Sequence, residues 1–196
     1  GGLVTKSKWA LLGAVVLVGF ALDAWTKHLA MNALAVGRQT RVIGDLLSFT
    51  LVYNKKGVFG IDPGRLLPSI PLNPVFVVFS VLAMVVIVLY YRRIPASDWL
   101  TRWGLALVVP GAIGNAFDRI VHADLGVVDF IMVNLHVWPA NPWPVFNLAD
   151  AYVTVGVGLI LAGVLRDELA ARRAKREKSA GEAATGASAR NGGTTA

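Results

Sequence analysis

Cysteine is absent from the 196-residue chain, which excludes disulfides, thiolate metal sites and a cysteine nucleophile. Charge is scarce too: Asp, Glu, Lys and Arg make up 16% of the residues, against about 25% in a soluble domain. The three histidines, His28, His122 and His136, are scattered and form no His-Glu-x-x-His, which argues against a zinc peptidase. No Gly-x-Ser-x-Gly and no phosphate-binding loop is present, so the motif-based cases for a serine hydrolase and a nucleotide enzyme both fall away. What the chain has in quantity is apolar residues, at 55% and a mean hydropathy of +0.58. The formal charge of +7 would raise nucleic-acid binding in a soluble protein. Here it is better read through membrane topology, with no nucleic-acid partner.

A helix needs roughly 17–25 mostly apolar residues to cross the hydrocarbon. Four segments reach this length, at about 9–29, 74–91, 103–120 and 146–165. Lys6 and Lys8 precede the first, as in a cleavable signal peptide, but Asp23 and Lys27 follow it in place of a small-residue cleavage site. With the N-terminus in the cytoplasm, the cytoplasmic segments hold twelve Lys and Arg against five acids, and the other side holds seven against seven. All of the net charge then lies on one side, which puts both termini in the cytoplasm.

Both outer loops are long. The first contains a strand-like stretch at 47–53 and a turn-like Asn54-Lys55-Lys56-Gly57; the second contains Val127-Val128-Asp129-Phe130-Ile131 and a Pro/Trp-rich run with Trp138 and Trp143. These predict an all-α four-helix bundle with a small outer-face sheet, and tryptophans at the membrane interface. Residues 1–171 read as one membrane domain. Residues 172–196 read as a cytoplasmic tail, basic and helical-looking at first (an anchor to anionic phospholipid), then, from Ser179, low in complexity and disordered.

Ionisable groups inside spans cost about 2.5–3.5 kcal/mol on insertion scales and by default point to function. The third span carries Asn115-Ala116-Phe117-Asp118 and the fourth Asn147-Leu148-Ala149-Asp150. Each is Asn-x-x-Asp, which places both polar groups on one helical face. The third span ends where the fourth begins, so Asp118 and Asp150 fall at matching depth near the outer surface. Two carboxylates at short range share a proton, which suits hydrolysis: one takes a proton from water while the other polarises the scissile carbonyl. The blander reading is an interhelical hydrogen-bonded pair. Asp129 is the reserve for the second acid, or a structural hydrogen-bonder. Asp23 and Lys27, at i and i+4, fit an ion pair within one helix. A proton- or cation-coupled transporter would also use paired acids, but it favours repeat symmetry, whereas here the polar motifs cluster in the second half. A membrane scaffold would leave these acids without a task.

At these residues the chain resembles bacterial lipoprotein signal peptidase (signal peptidase II). The matching blocks are Asp23-Ala24-Trp25-Thr26-Lys27, Asn54 through Phe59-Gly60, Gly114-Asn115-Ala116-Phe117-Asp118-Arg119, Val127-Val128-Asp129-Phe130 and Phe146-Asn147-Leu148-Ala149-Asp150. The resemblance implies a bacterial cytoplasmic-membrane enzyme with four helices and a β-cradle. Such an enzyme removes the signal peptide from diacylglyceryl-modified prolipoproteins, before the lipidated cysteine, with an aspartate dyad and no cofactor or metal. Carried over by motif, the dyad is Asp118 and Asp150, supported by Asp23, Lys27, Asn54, Asn115, Arg119 and Asn147. Its partners are lipid-modified precursors and membrane phospholipids, and it acts as a monomer. Two departures stand out: Lys56 occupies a position that is usually glycine, and Pro110-Gly111 replaces a Gly-Gly pair, so a kink is expected in the third span. The loop at 54–60 is expected to close over the substrate as a lid.

Overall fold

The computed structural model describes residues 2–55, 72–137 and 143–191; the side chains of residues 2–6 and 180–191 are not described. The chain runs α1 (Gly2–Ala33), β1 (Thr40–Ile43), β2 (Leu47–Asn54), α2 (Leu72–Tyr91), α3 (Trp99–Val121), β3 (Val127–Val133) and α4 (Leu148–Asn191). All four helices are long and apolar enough to cross a membrane. Val78, Phe79, Leu82, Val86 and Leu89 of α2 and Leu17, Val18 and Trp25 of α1 lie open on the surface. Apolar area on that scale faces lipid in a membrane protein and would drive aggregation in water.

α3 is the central helix, packing against α1, α2 and α4. Small residues allow the closest approaches. A side-chain carbon at Gly104 would strike the carbonyl oxygen of Gly156 and one at Gly156 that of Gly104, so α3 and α4 meet backbone to backbone. The helix continues through Pro110, whose ring packs where Gly19 of α1 leaves room.

At one end, Lys8 and Tyr91 tie α1 to the α2–α3 turn. The Lys8 ammonium donates to the carbonyls of Arg92 (2.9 Å) and Ile94 (3.2 Å), and the Tyr91 hydroxyl donates to the Lys8 carbonyl (2.9 Å). Asp98 caps α3 by accepting from the Thr101 N–H and also meets Arg166 of α4.

At the other end, where α1 and α3 finish and α4 begins, the strands form an antiparallel sheet in the order β1-β2-β3. β2 and β3 match the two strand-like stretches. β1 was not expected: it is four exposed residues paired to β2 across an irregularity between Arg41 and Ile43. Phe146 extends the sheet by an isolated bridge to Ile131.

Past residue 171, α4 continues as helix to Asn191, through the basic stretch expected to be helical and into the low-complexity part that begins at Ser179. The run is rich in Ala, Arg, Lys and Glu, all good helix formers, so it extends a helix already nucleated in the bundle. The expected lid falls mostly at residues 56–60 and, like Trp138, lies outside the described residues.

Candidate active site

Asn147 organises the site and is fully buried. It precedes the first residue of α4. Its Oδ1 accepts from the Asp150 N–H (2.9 Å), while Asp150 Oδ2 accepts from the Asn147 N–H (3.3 Å). This reciprocal pair is a capping box built from Asn and Asp, and it satisfies backbone donors that the start of a helix leaves open. The fourth-span Asn-x-x-Asp is therefore a helix start, and the Asp150 carboxylate is held by its own cap.

The Asn147 amide nitrogen points the other way. It donates to Asp129 Oδ1 (2.8 Å) and Asn115 Oδ1 (3.0 Å), and lies 3.2 Å from the Val128 carbonyl. Asp129 is the third residue of β3. Strand alternation puts it on the same face as Val127, and both line one cavity. Its second oxygen accepts from the Asn54 amide at the end of β2 (2.9 Å). Asp150 Oδ1 accepts from the Asn115 amide (2.7 Å).

Asp129 and Asp150 thus face a common cavity of about 250 Å³, whose walls also include Asn54, Asn115, Arg119, Trp143, Phe146 and Thr154. Arg119 is buried. Its guanidinium lies over the Phe76 ring (4.8 Å), donates to the Asn115 carbonyl (3.2 Å) and is within electrostatic reach of both aspartates. Burial, reinforced by the charge of Asp150, pushes the Asp129 carboxyl up to about 7; its bonds to Asn54 and Asn147 and the charge of Lys27 pull the other way. Asp129 is therefore largely protonated below neutral pH and shares its proton with solvent near it.

Asp118 is placed differently. Its Oδ2 lies 2.8 Å from the Lys27 ammonium and accepts from the Val128 N–H (3.0 Å). It is not part of the cavity wall. Lys27 also pairs with Asp23 (2.8 Å), as the i, i+4 spacing predicted, and donates to Asn115 Oδ1 (3.3 Å). All three ammonium protons are matched. Asp23 in turn accepts from the Ala149 N–H (2.9 Å), and a carbon at Gly114 would overlap its carboxylate.

The structure thus gathers the nine polar residues expected at the site, Asp23, Lys27, Asn54, Asn115, Asp118, Arg119, Asp129, Asn147 and Asp150. Asp129, Asp150, Asn54, Asn115 and Arg119 line the cavity, Asn147 lies behind them, and Asp23, Lys27 and Asp118 form a charged layer next to it. Trp143, expected at the membrane interface, is a wall residue of the cavity, and its backbone N–H donates to the Val133 carbonyl at the end of β3 (2.9 Å).

Comparison with known proteins gives one answer. The sequence profile described as signal peptidase (SPase) II matches residues 15–166. The lipoprotein signal peptidase of Halalkalibacterium halodurans is 36% identical over 85% of this chain and 97% of its own. That of Geobacter sulfurreducens is 33% identical over 83% of this chain and 96% of its own. A bacterial membrane enzyme solved by the in meso method at 2.3 Å resolution superposes with a TM-score of 0.69 and 25% identity, covering 80% of this chain and 88% of that one. With the profile spanning most of the chain and relatives matched almost end to end, the chain belongs to the signal peptidase II family.

Proposed function

We propose that this protein is an aspartic endopeptidase that removes signal peptides from diacylglyceryl-modified prolipoproteins, with Asp129 and Asp150 as its dyad. The observation that carries the assignment is that these two carboxylates face one cavity and are joined through a single asparagine, Asn147. The spacing and the motif carried over from the family resemblance both paired Asp118 with Asp150; the salt bridge from Lys27 to Asp118 and its bond to the Val128 N–H favour Asp129 in that place.

The chemistry follows from the polarity of the pair. One protonated and one ionised carboxyl are what like charges at short range prefer. The ionised member accepts a proton from water as it attacks the scissile carbonyl, and the protonated member donates to the developing oxyanion. The tetrahedral intermediate collapses when the leaving amide nitrogen takes up a proton, and the dyad regains its starting state. Arg119 and the Asn54 amide stand at the cavity wall to bind polar atoms of the peptide. Ala151, Thr154 and Val155 of α4 supply the side along which acyl chains run into the bilayer.

The asymmetry of Lys and Arg supports cytoplasmic termini and a site near the outer face. Residues 1–171 act as one unit, as a monomer among phospholipids, with the basic stretch after it as a lipid anchor. The transporter reading has no support from the relatives.

The test is cleavage of a diacylglyceryl-modified precursor peptide by purified wild type, Asp129→Asn and Asp150→Asn. Each variant should fall to the background rate while keeping a cooperative thermal transition. Wild-type turnover by either variant removes that residue from the dyad. Equal cleavage of the same peptide without its lipid defeats the substrate assignment.

A further inference from the structure

We infer that Lys27, together with Asp23 and Asp118, forms a yoke that fixes the distance and mutual orientation of Asp129 and Asp150. This rests on the reading of Asp129 and Asp150 as the dyad.

The geometry has two arms that meet at Lys27. One ammonium lies 2.8 Å from Asp23 Oδ2 and 2.8 Å from Asp118 Oδ2. Each of these carboxylates accepts the backbone N–H of the residue immediately before one dyad member: Asp118 takes Val128 (3.0 Å), before Asp129, and Asp23 takes Ala149 (2.9 Å), before Asp150. The dyad members come from different elements, β3 and α4; the bridge from Phe146 to Ile131 joins the chain ahead of α4 to β3, and the yoke adds a second link at the residues directly before the dyad. The path from Asp129 through Val128, Asp118, Lys27, Asp23 and Ala149 to Asp150 supplies that link through backbone contacts. The Asn147 and Asn115 amides restrain the side chains themselves. All three yoke residues are buried, so water does not compete for these bonds.

A network that only held the bundle together would change how much enzyme is folded. A yoke changes how each folded molecule works. Misplacing a reacting group by about 1 Å costs on the order of 100-fold in rate. Two carboxylates that drift apart also couple less, which brings their apparent pKa values closer and narrows the bell-shaped pH–rate profile. The charged groups facing the pair are Lys27 from α1 and Arg119 from α3, besides the dyad members themselves. Asp23 and Asp118 complete the surroundings of Lys27, and Asn54 from β2 faces Asp129 as an uncharged donor.

The experiment compares full-length wild type with Asp23→Asn, Asp118→Asn, Lys27→Met and the Lys27→Met/Asp118→Asn pair. Rates are expressed per folded molecule on the lipidated precursor peptide, with Asp129→Asn and Asp150→Asn alongside. The isosteric Asn variants keep an acceptor for the backbone N–H and lose the charge that meets Lys27, so they carry the test even where Lys27→Met fails to fold. The yoke predicts a loss in kcat of about 10- to 100-fold with KM within about threefold, a narrower pH–rate bell, and a double variant no worse than Lys27→Met alone. Unchanged kcat and bell width per folded molecule in both Asn variants overturn the inference while leaving the dyad standing. Asp118→Asn as inactive as Asp129→Asn overturns it too, because Asp118 would then itself react. Wild-type turnover by Asp129→Asn or Asp150→Asn defeats the dyad reading, and the yoke with it.

Discussion

Two copies of Asn-x-x-Asp stand at the same end of this bundle and do different work. In the α3 copy, Asn115 faces the cavity and Asp118 turns to Lys27 and the start of β3. In the α4 copy, both residues belong to a helix cap, and the capping aspartate lines the cavity. The difference lies in where the helix is met. An aspartate in the body of a helix has no free N–H of its own to bind and must find a partner elsewhere. One at the third position of a helix is offered the N–H of its cap residue. Identical spacing therefore places the polar groups but does not assign their tasks.

The largest contrast should separate activity from stability. Asp150→Ala should lower turnover by about 1,000-fold or more and cost roughly 1 kcal/mol of stability through the lost cap contact. Asp118→Ala should cost more stability, about 3 kcal/mol, because Lys27 loses one of its two buried carboxylates. Denaturant unfolding in detergent, run beside the cleavage assay, measures both; equal stability losses would erase the distinction.

Next in size is Asn147→Ser. A serine keeps a cap acceptor but has no amide to reach Asp129 and Asn115, so turnover per folded molecule should drop by about tenfold, at a stability cost of about 1–3 kcal/mol. Removing a bond that pulls the Asp129 pKa down should also carry its titration above about 7. The high-pH limb of the activity profile would then move upward, and a downward move would contradict the assignment.

The wild-type limb gives a third test. With Asp129 as the proton-bearing member, turnover should fall as pH rises through about 7. The sign for stability is the same: between 3.8 and about 7 the folded chain holds a proton that the unfolded chain releases, so this group's contribution weakens as pH rises across that window. Asp129→Asn should flatten this part of the stability profile.

The smallest effect concerns glycine. Gly114→Ala should destabilise by about 1–3 kcal/mol, since its methyl group meets the Asp23 carboxylate. Gly158→Ala, with nothing near it, should be neutral or stabilise by up to about 1 kcal/mol.

The bundle was legible because hydropathy dominates its residues: α2 needs no partner to be read as a span. β2 was legible from its alternation and β3 as a short apolar run broken by Asp129. β1 was not, because Thr40, Arg41, Val42 and Ile43 are all exposed and their pairing is irregular. The site residues were legible as polar groups in costly places, and all of them meet at one end of the molecule. The shared cavity of Asp129 and Asp150 was not, because Asp129 lies on a strand whose register, Asp129 opposite Val52, arises from tertiary pairing. The clue in the sequence was local: Asn147 directly before an apolar run signals a cap, which detaches Asp150 from the pattern it shares with Asp118.

The length of α4 has a mechanical consequence. From Leu148 to Ser179 it runs 32 residues, about 48 Å at 1.5 Å per residue, well beyond the roughly 30 Å of hydrocarbon. Asp150 rides on the first turn of this rod, and the cluster from Arg172 to Lys178 rides on its far portion. α3 meets this rod at three levels, Gly111 against Ala149, Gly104 against Gly156 and Thr101 against Gly163. The turn that carries Asp150 and the basic end therefore belong to one rigid strut braced along its length, so the depth of Asp150 is set by the same helix that reaches the far surface.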